Sequence, residues 1–243
     1  MDSRDASSAR PDAGRRSGCC DDGAMRRRVP AAIAALALGS AVLLAGCGSA
    51  SAPSPPAGVD GLVIPTPDPD PADFVAAVDN PWLPLAPGSR WEYADSGSAT
   101  PALVLTVVAG PQVAGVATTT LVRTHPDGTV ERDLYAQDRD GNVWWFGREG
   151  EWRAGEDGAE AGLAMPATPR FGDGFRTAAA PGLAEVATVT AVGAEVTVPL
   201  ATYDRTVELE VEDATGSRTE VYARGIGLVR TGEAGLVAYD AGG

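Results

Sequence analysis

The sequence predicts an all-β protein with minor α content. The expected architecture is a strongly curved antiparallel meander sheet, an open or half-closed barrel, preceded by a short N-terminal helix. Three observations predict it. Short runs rich in Val, Thr, Leu and aromatic residues recur from Ser89 to Asp240, with the alternation that marks half-buried strands. Local turn signals separate them, among them His125-Pro126-Asp127-Gly128, Asp138-Arg139-Asp140-Gly141 and Glu149-Gly150. No long stretch beyond residue 80 keeps a helical period. Strands so closely spaced pair with their chain neighbours, and the sheet must then hide its edges by closure or by a covering segment.

The elements follow in order. Asp73 to Val78 reads as a helical turn or two, capped by Asp73 or Asp70 and ended by Asn80-Pro81. Pro84-Leu85-Ala86-Pro87-Gly88 makes a turn into the first strand, Ser89 to Ala94. There Trp91 and Tyr93 share one face, and Arg90 and Glu92 the other. Strands are expected over 102–109, 116–124, 129–137, 142–147 and 151–154. Residues 155–174, with Pro166, Pro169 and several glycines, read as the longest irregular gap. The Phe74 helix or this gap is expected to lie across the barrel mouth. Strands resume over 175–179, 184–192, 194–198, 203–213, 218–223, 228–232 and 236–240.

Ahead of this domain the chain is organised around Leu44-Ala45-Gly46-Cys47. Arg26, Arg27 and Arg28 form a positive region, and residues 31–45 an apolar run too short to span a bilayer. Small residues then lead to Cys47. Together these predict a lipoprotein signal peptide over 25–46, with Cys47 carrying the lipid. Two acyl chains hold stably where one is marginal. Residues 1–24 lack periodicity and are expected to be disordered, a start-site artefact upstream of a true start at Met25. Residues 47–73, dense in Pro and Ser, read as an extended tether. Residues 74–243 form one β-rich exported domain.

Composition narrows the function classes. Beyond Cys47 the chain has 12 Arg, no Lys and 28 Asp plus Glu. That balance disfavours nucleic acid as a partner and a polybasic grip on anionic lipid. Without Lys there is no Schiff base and no Walker phosphate loop. Cys19 and Cys20 precede the signal, so the exported domain carries no disulfide although its compartment is oxidising.

Four phrases carry a resemblance. They are residues 80–93, Asn-Pro-Trp-Leu-Pro-Leu-Ala-Pro-Gly-Ser-Arg-Trp-Glu-Tyr; residues 135–147, from Tyr135 through Asp138-Arg139-Asp140-Gly141-Asn142 to Gly147; Val198-Pro199-Leu200-Ala201-Thr202-Tyr203; and residues 222–229, Tyr-Ala-Arg-Gly-Ile-Gly-Leu-Val. The chain over 80–230 resembles a widespread, largely uncharacterised family of secreted bacterial β-proteins, lipoproteins among them. The resemblance implies neither an activity nor a catalytic residue. In shape the expected sheet is also similar to periplasmic lipoprotein carriers, a likeness of fold that does not fix function.

Candidate sites are few. Asp138 and Asp140 before Gly141 are spaced like part of a calcium loop, but a strand of aromatics follows, and Asp-Gly between strands is what a hairpin requires. His125 is the only histidine and sits at an expected hairpin tip, a poor place for a catalytic base. Val143-Trp144-Trp145-Phe146 puts aromatics on both faces of one strand. One face is core; the other is either covered or open to an apolar ligand. The candidate ligand-binding residues are therefore Trp91, Tyr93, Trp144, Trp145, Phe146 and Trp152. No metal site, cofactor or catalytic constellation is expected. The functional expectation is a non-enzymatic lipoprotein on the extracytoplasmic face of the cell membrane. It would be held there by the lipid on Cys47 and would bind an apolar or amphiphilic envelope ligand. The alternatives are a structural or protein-interaction module of the envelope and a carboxylate-based hydrolase.

Overall fold

The computed structural model describes residues 70–98 and 100–242. The signal peptide, Cys47 and nearly all of the tether lie outside the described residues. The chain opens with a single 3-10 turn, Pro71–Asp73, capped by Asp70 through the Ala72 amide. Sixteen strands follow: β1 (Phe74–Val75), β2 (Arg90–Ala94), β3 (Leu103–Val113), β4 (Val116–Thr124), β5 (Val130–Asp138), β6 (Val143–Arg148), β7 (Trp152–Arg153), β8 (Glu160–Met165), β9 (Gly174–Ala180), β10 (Leu183–Val192), β11 (Val196–Thr197), β12 (Thr202–Tyr203), β13 (Thr206–Asp213), β14 (Gly216–Ala223), β15 (Gly227–Thr231) and β16 (Ala234–Asp240).

Twelve of these strands close into an antiparallel barrel. The order runs β5-β4-β3-β2-β16-β15-β14-β13-β10-β9-β8-β6, and the β5–β6 pairing seals the ring. Closure thus goes further than the half-closed sheet expected from sequence, and it removes every barrel edge. The short strand β1 pairs with the end of β5, and β7 with the end of β6.

Three expectations are corrected. Phe74–Val75 is a strand, not a helix; the 3-10 turn before it is all that the Asp70 cap nucleates. Residues 155–174 are not one irregular gap, because Glu160–Met165 is a barrel strand. Neither segment lies across an open mouth. Phe74 packs on the outside, edge-on to Phe146 at 5.1 Å between ring centres.

The registers define two ends. At one end lie the hairpin tips after β4, β6, β9, β13 and β15; at the other, those after β3, β5 and β14 and the 193–205 excursion. The second end is plugged by residues 78–85, with Val78, Leu83 and Leu85 buried in the core. Asn80 pins the plug. Its side chain donates to the Gly141 carbonyl at 2.7 Å and to the Pro166 carbonyl at 3.2 Å, and accepts from the Trp82 and Leu83 amides. The side-chain oxygen Oε1 of Gln137 accepts from the Asp79 and Asn80 amides, and the Gly225 amide donates to the Pro81 carbonyl. The four phrases singled out in the sequence therefore meet largely at this plugged end, as its joinery.

The outer face of β13 is charged. Along β13, Val207, Leu209 and Val211 face in while Glu208, Glu210 and Glu212 face out. A lipid-facing barrel would present an apolar band there. Among the described residues no helix is long and apolar enough to cross a membrane.

Candidate functional site

Inside the barrel, toward the unplugged end, lies a cavity of about 460 Å³, within the ~300–1,000 Å³ usual for small-molecule sites. Its floor is apolar: Leu83, Leu85, Trp91, Leu105, Leu121 and Leu209. Tyrosines occupy the middle, and charged residues the upper wall.

The charged belt is built by strand alternation. Leu121 and Arg123 on β4 and His125 just beyond it point inward in succession; on β5, Glu131, Asp133 and Tyr135; on β14, Arg218, Glu220 and Tyr222. Arg148 is different. Strict alternation from inward Trp145 would place it outside. A bulge intervenes: Trp145 pairs with Tyr135, but Gly147 pairs with Leu134 and Arg148 with Asp133. The extra residue, Phe146, reverses the phase. Gly147 makes this possible at φ +140°, and a Cβ there would strike the Trp152 carbonyl oxygen.

Two ion clusters result. On one wall the fully buried Asp133 takes Arg123 Nε at 2.9 Å and Arg148 Nε at 2.7 Å. Arg148 also reaches Glu131 at 3.4 Å. On the facing wall Arg218 bridges Glu220 and Glu185, both at 2.9 Å, with Asp213 at 3.5 Å. Tyr222 donates to Glu220 at 2.6 Å and Thr177 to Glu185 at 2.7 Å. Burial works against the charge on Arg123, but Asp133 together with Tyr135, Glu220 and Tyr222 outweighs it and holds the guanidinium protonated beyond its ordinary range. Arg218 is likewise opposed by burial and upheld by Glu220 and Glu185. Burial, the largest cause in each case, pushes the phenols of Tyr93, Tyr135 and Tyr222 above their usual pKa.

Of the six candidate ligand residues, Trp91, Tyr93 and Trp145 line the cavity. Trp91 and Tyr93 are also anchors, donating to the Ile226 and Leu228 carbonyls at 2.8 Å each. Trp144 and Phe146 do not reach the cavity. They face outward into a second buried cluster with Leu134, Val113 and Val116, packed against Phe74. Trp152 also stays off the cavity wall; it packs edge-on against Trp145 at 5.1 Å. The aromatics do point both ways, but the outer set is covered by the chain itself.

Asp138 is a turn residue. It accepts from the Asn142 amide and side chain, both at 2.9 Å, and from the Trp144 indole at 2.8 Å. Gly141 has φ +88°, as the hairpin reading of this stretch requires. Among the described residues no group of three or more potential metal ligands gathers. His125 lines the cavity mouth, its Nε2 buried and without a hydrogen-bond partner, 3.8 Å from Glu131. The inward charges were missed from sequence, although the in-phase pairs Glu131/Asp133 and Arg218/Glu220 were available as a signal. Comparison with family models, curated proteins and solved structures finds no match for this chain.

Proposed function

We propose that this chain is an exported, non-enzymatic lipoprotein, tethered by a lipid on Cys47 to the extracytoplasmic face of the cell membrane, that binds an amphiphilic envelope ligand inside its barrel. One observation carries the binding reading: the cavity grades from an apolar floor to a hydrogen-bonding, charged upper wall. An apolar chain would rest against Leu85, Leu105, Leu121 and Leu209, and a polar head would meet the belt around Arg123 and Glu220. The anchor reading is supported by the arginines, apolar run and small residues before Cys47. The described chain begins beside the plugged end, where Pro71 lies next to Gly115 in the β3–β4 turn.

Three of the six cavity carboxylates weigh against the hydrolase alternative. Asp133, Glu185 and Glu220 are each gripped by a guanidinium rather than presented as an acid and base flanking open space. Native mass spectrometry of the protein taken from its membrane tests ligand binding. An added small-molecule mass is expected, lost in a cavity-filling Leu121→Trp variant. A bare mass, together with no uptake of added amphiphile, would refute it. Palmitate labelling that is abolished by Cys47→Ser tests the anchor.

A further inference from the structure

We propose that the head group this cavity selects is cationic: an ammonium or amidinium group at the end of an apolar chain. The inference rests on the amphiphile-binding reading above and specifies its ligand. Six carboxylates line the cavity, those of Glu131, Asp133, Glu151, Glu185, Asp213 and Glu220. Three guanidiniums oppose them, those of Arg123, Arg148 and Arg218. The wall is therefore acidic by three charges with His125 neutral. Low-dielectric walls around one dominant sign concentrate the opposite ion.

The pairing pattern sharpens this. Every one of the three guanidiniums is already engaged: Arg123 by Asp133, Arg148 by Asp133 and Glu131, Arg218 by Glu185, Glu220 and Asp213. A carboxylate or phosphate head would have to share a guanidinium that an acid already holds, and would then face the surplus acids. A cation meets the opposite situation. Among the described residues Glu151 makes no ion pair, and Glu131 holds Arg148 only loosely at 3.4 Å. His125 Nε2 is buried and unpaired beside them; in the tautomer protonated at Nδ1 it offers a lone pair to a donor-rich head. Tyr93, Tyr135, Tyr222 and Trp145 line the same space, and aromatic faces attract desolvated cations.

Titration calorimetry on the full chain carrying Cys47→Ser, with monomeric dodecylammonium, dodecanol and dodecanoate, tests the assignment. The cation is expected to bind about tenfold or more tighter than dodecanol, with dodecanoate weakest. The double variant Glu131→Gln/Glu151→Gln should weaken the cation several-fold and leave dodecanol unchanged. Equal binding of all three probes, or tighter binding of dodecanoate, overturns the cationic head while leaving the cavity reading intact. Failure of all three to bind overturns both.

Discussion

Removing the carboxylate of Asp133 is the severest single test of the charged belt. Asp133 is fully buried and is the shared acceptor of Arg123 and Arg148. Asp133→Ala leaves Arg123 without its counter-charge and Arg148 with only the longer contact to Glu131, in a closed barrel. Breaking a buried pair from one side costs about 3–5 kcal/mol. Both arginines keep part of their side-chain surface accessible, 20% and 23%, so solvent inside the cavity screens them and the low end applies, about 3 kcal/mol. For a domain of this size that is a fall in Tm of roughly 6–12 °C. Urea denaturation followed by far-UV circular dichroism reads the change directly, with an unaltered m-value showing that only stability moved. Exchanging the whole triad for apolar residues of similar volume, Asp133→Leu with Arg123→Met and Arg148→Met, should recover most of the loss, because no charge is then stranded. A loss below about 1 kcal/mol for Asp133→Ala, the range of an exposed ion pair, would refute the belt as a buried network.

Three further outcomes are expected. The raised pKa values of Tyr93, Tyr135 and Tyr222 mean that the native state keeps phenolic protons which the unfolded chain sheds above its own pKa near 10. Their contribution is complete below that pH and is lost as pH rises, at about 1.4 kcal/mol per tyrosine per pH unit. Tyrosinate absorbance from these three should appear only with loss of the β-sheet signal; ionisation of all five tyrosines in a folded protein would contradict it. Gly147→Ala should destabilise severely, since its methyl meets the Trp152 carbonyl oxygen at a backbone angle that disfavours side chains. A thermal melt unchanged from wild type would show that the bulge adapts. Asn80→Ala removes an amide that joins the plug to Gly141, Pro166, Trp82 and Leu83. It should cost about 2–4 kcal/mol and raise hydrogen exchange at the plugged end before elsewhere; uniform exchange would dissociate the plug from Asn80.

What could be read from the sequence tracks where alternation is clean. Strand β13 alternates Val207, Leu209 and Val211 with glutamates, β4 is dense in Val and Thr, and the bounds of both differ from expectation by few residues. Strand β8, Glu-Ala-Gly-Leu-Ala-Met, has no β-branched or aromatic residue, so propensity cannot find it. Its composition has a spatial cause: at Gly162 a Cβ would collide with the Thr177 carbonyl of β9. The Phe74 segment misled for the opposite reason. Asp70 and the alanines have helical character, but the exposed backbone end of β5 and the ring of Phe146 supply a stronger partner. Arg148 was unreadable in principle, because its direction depends on a bulge that only the β5 register reveals.

The size of the ring explains why so acidic a chain carries charge inside. About eight strands give a barrel whose interior side chains can just fill, and larger rings leave a void. Twelve strands stand beyond that limit. The plugged end solves the problem with chain, inserting Val78, Leu83 and Leu85. At the other end no segment of the described residues is inserted, and aliphatic side chains from opposite walls would not meet. Long side chains with directional ends line it instead, each paired along its own wall: Arg218 ties β14 to neighbouring β13 and β10, and Arg123 and Arg148 tie β4 and β6 through Asp133 on β5. Such a belt keeps the barrel from collapsing while leaving space between the two clusters. A core built for stability alone would have no use for that space, since buried pairs rarely stabilise more than the apolar packing that could replace them. Their retention around a cavity is what a binding site requires.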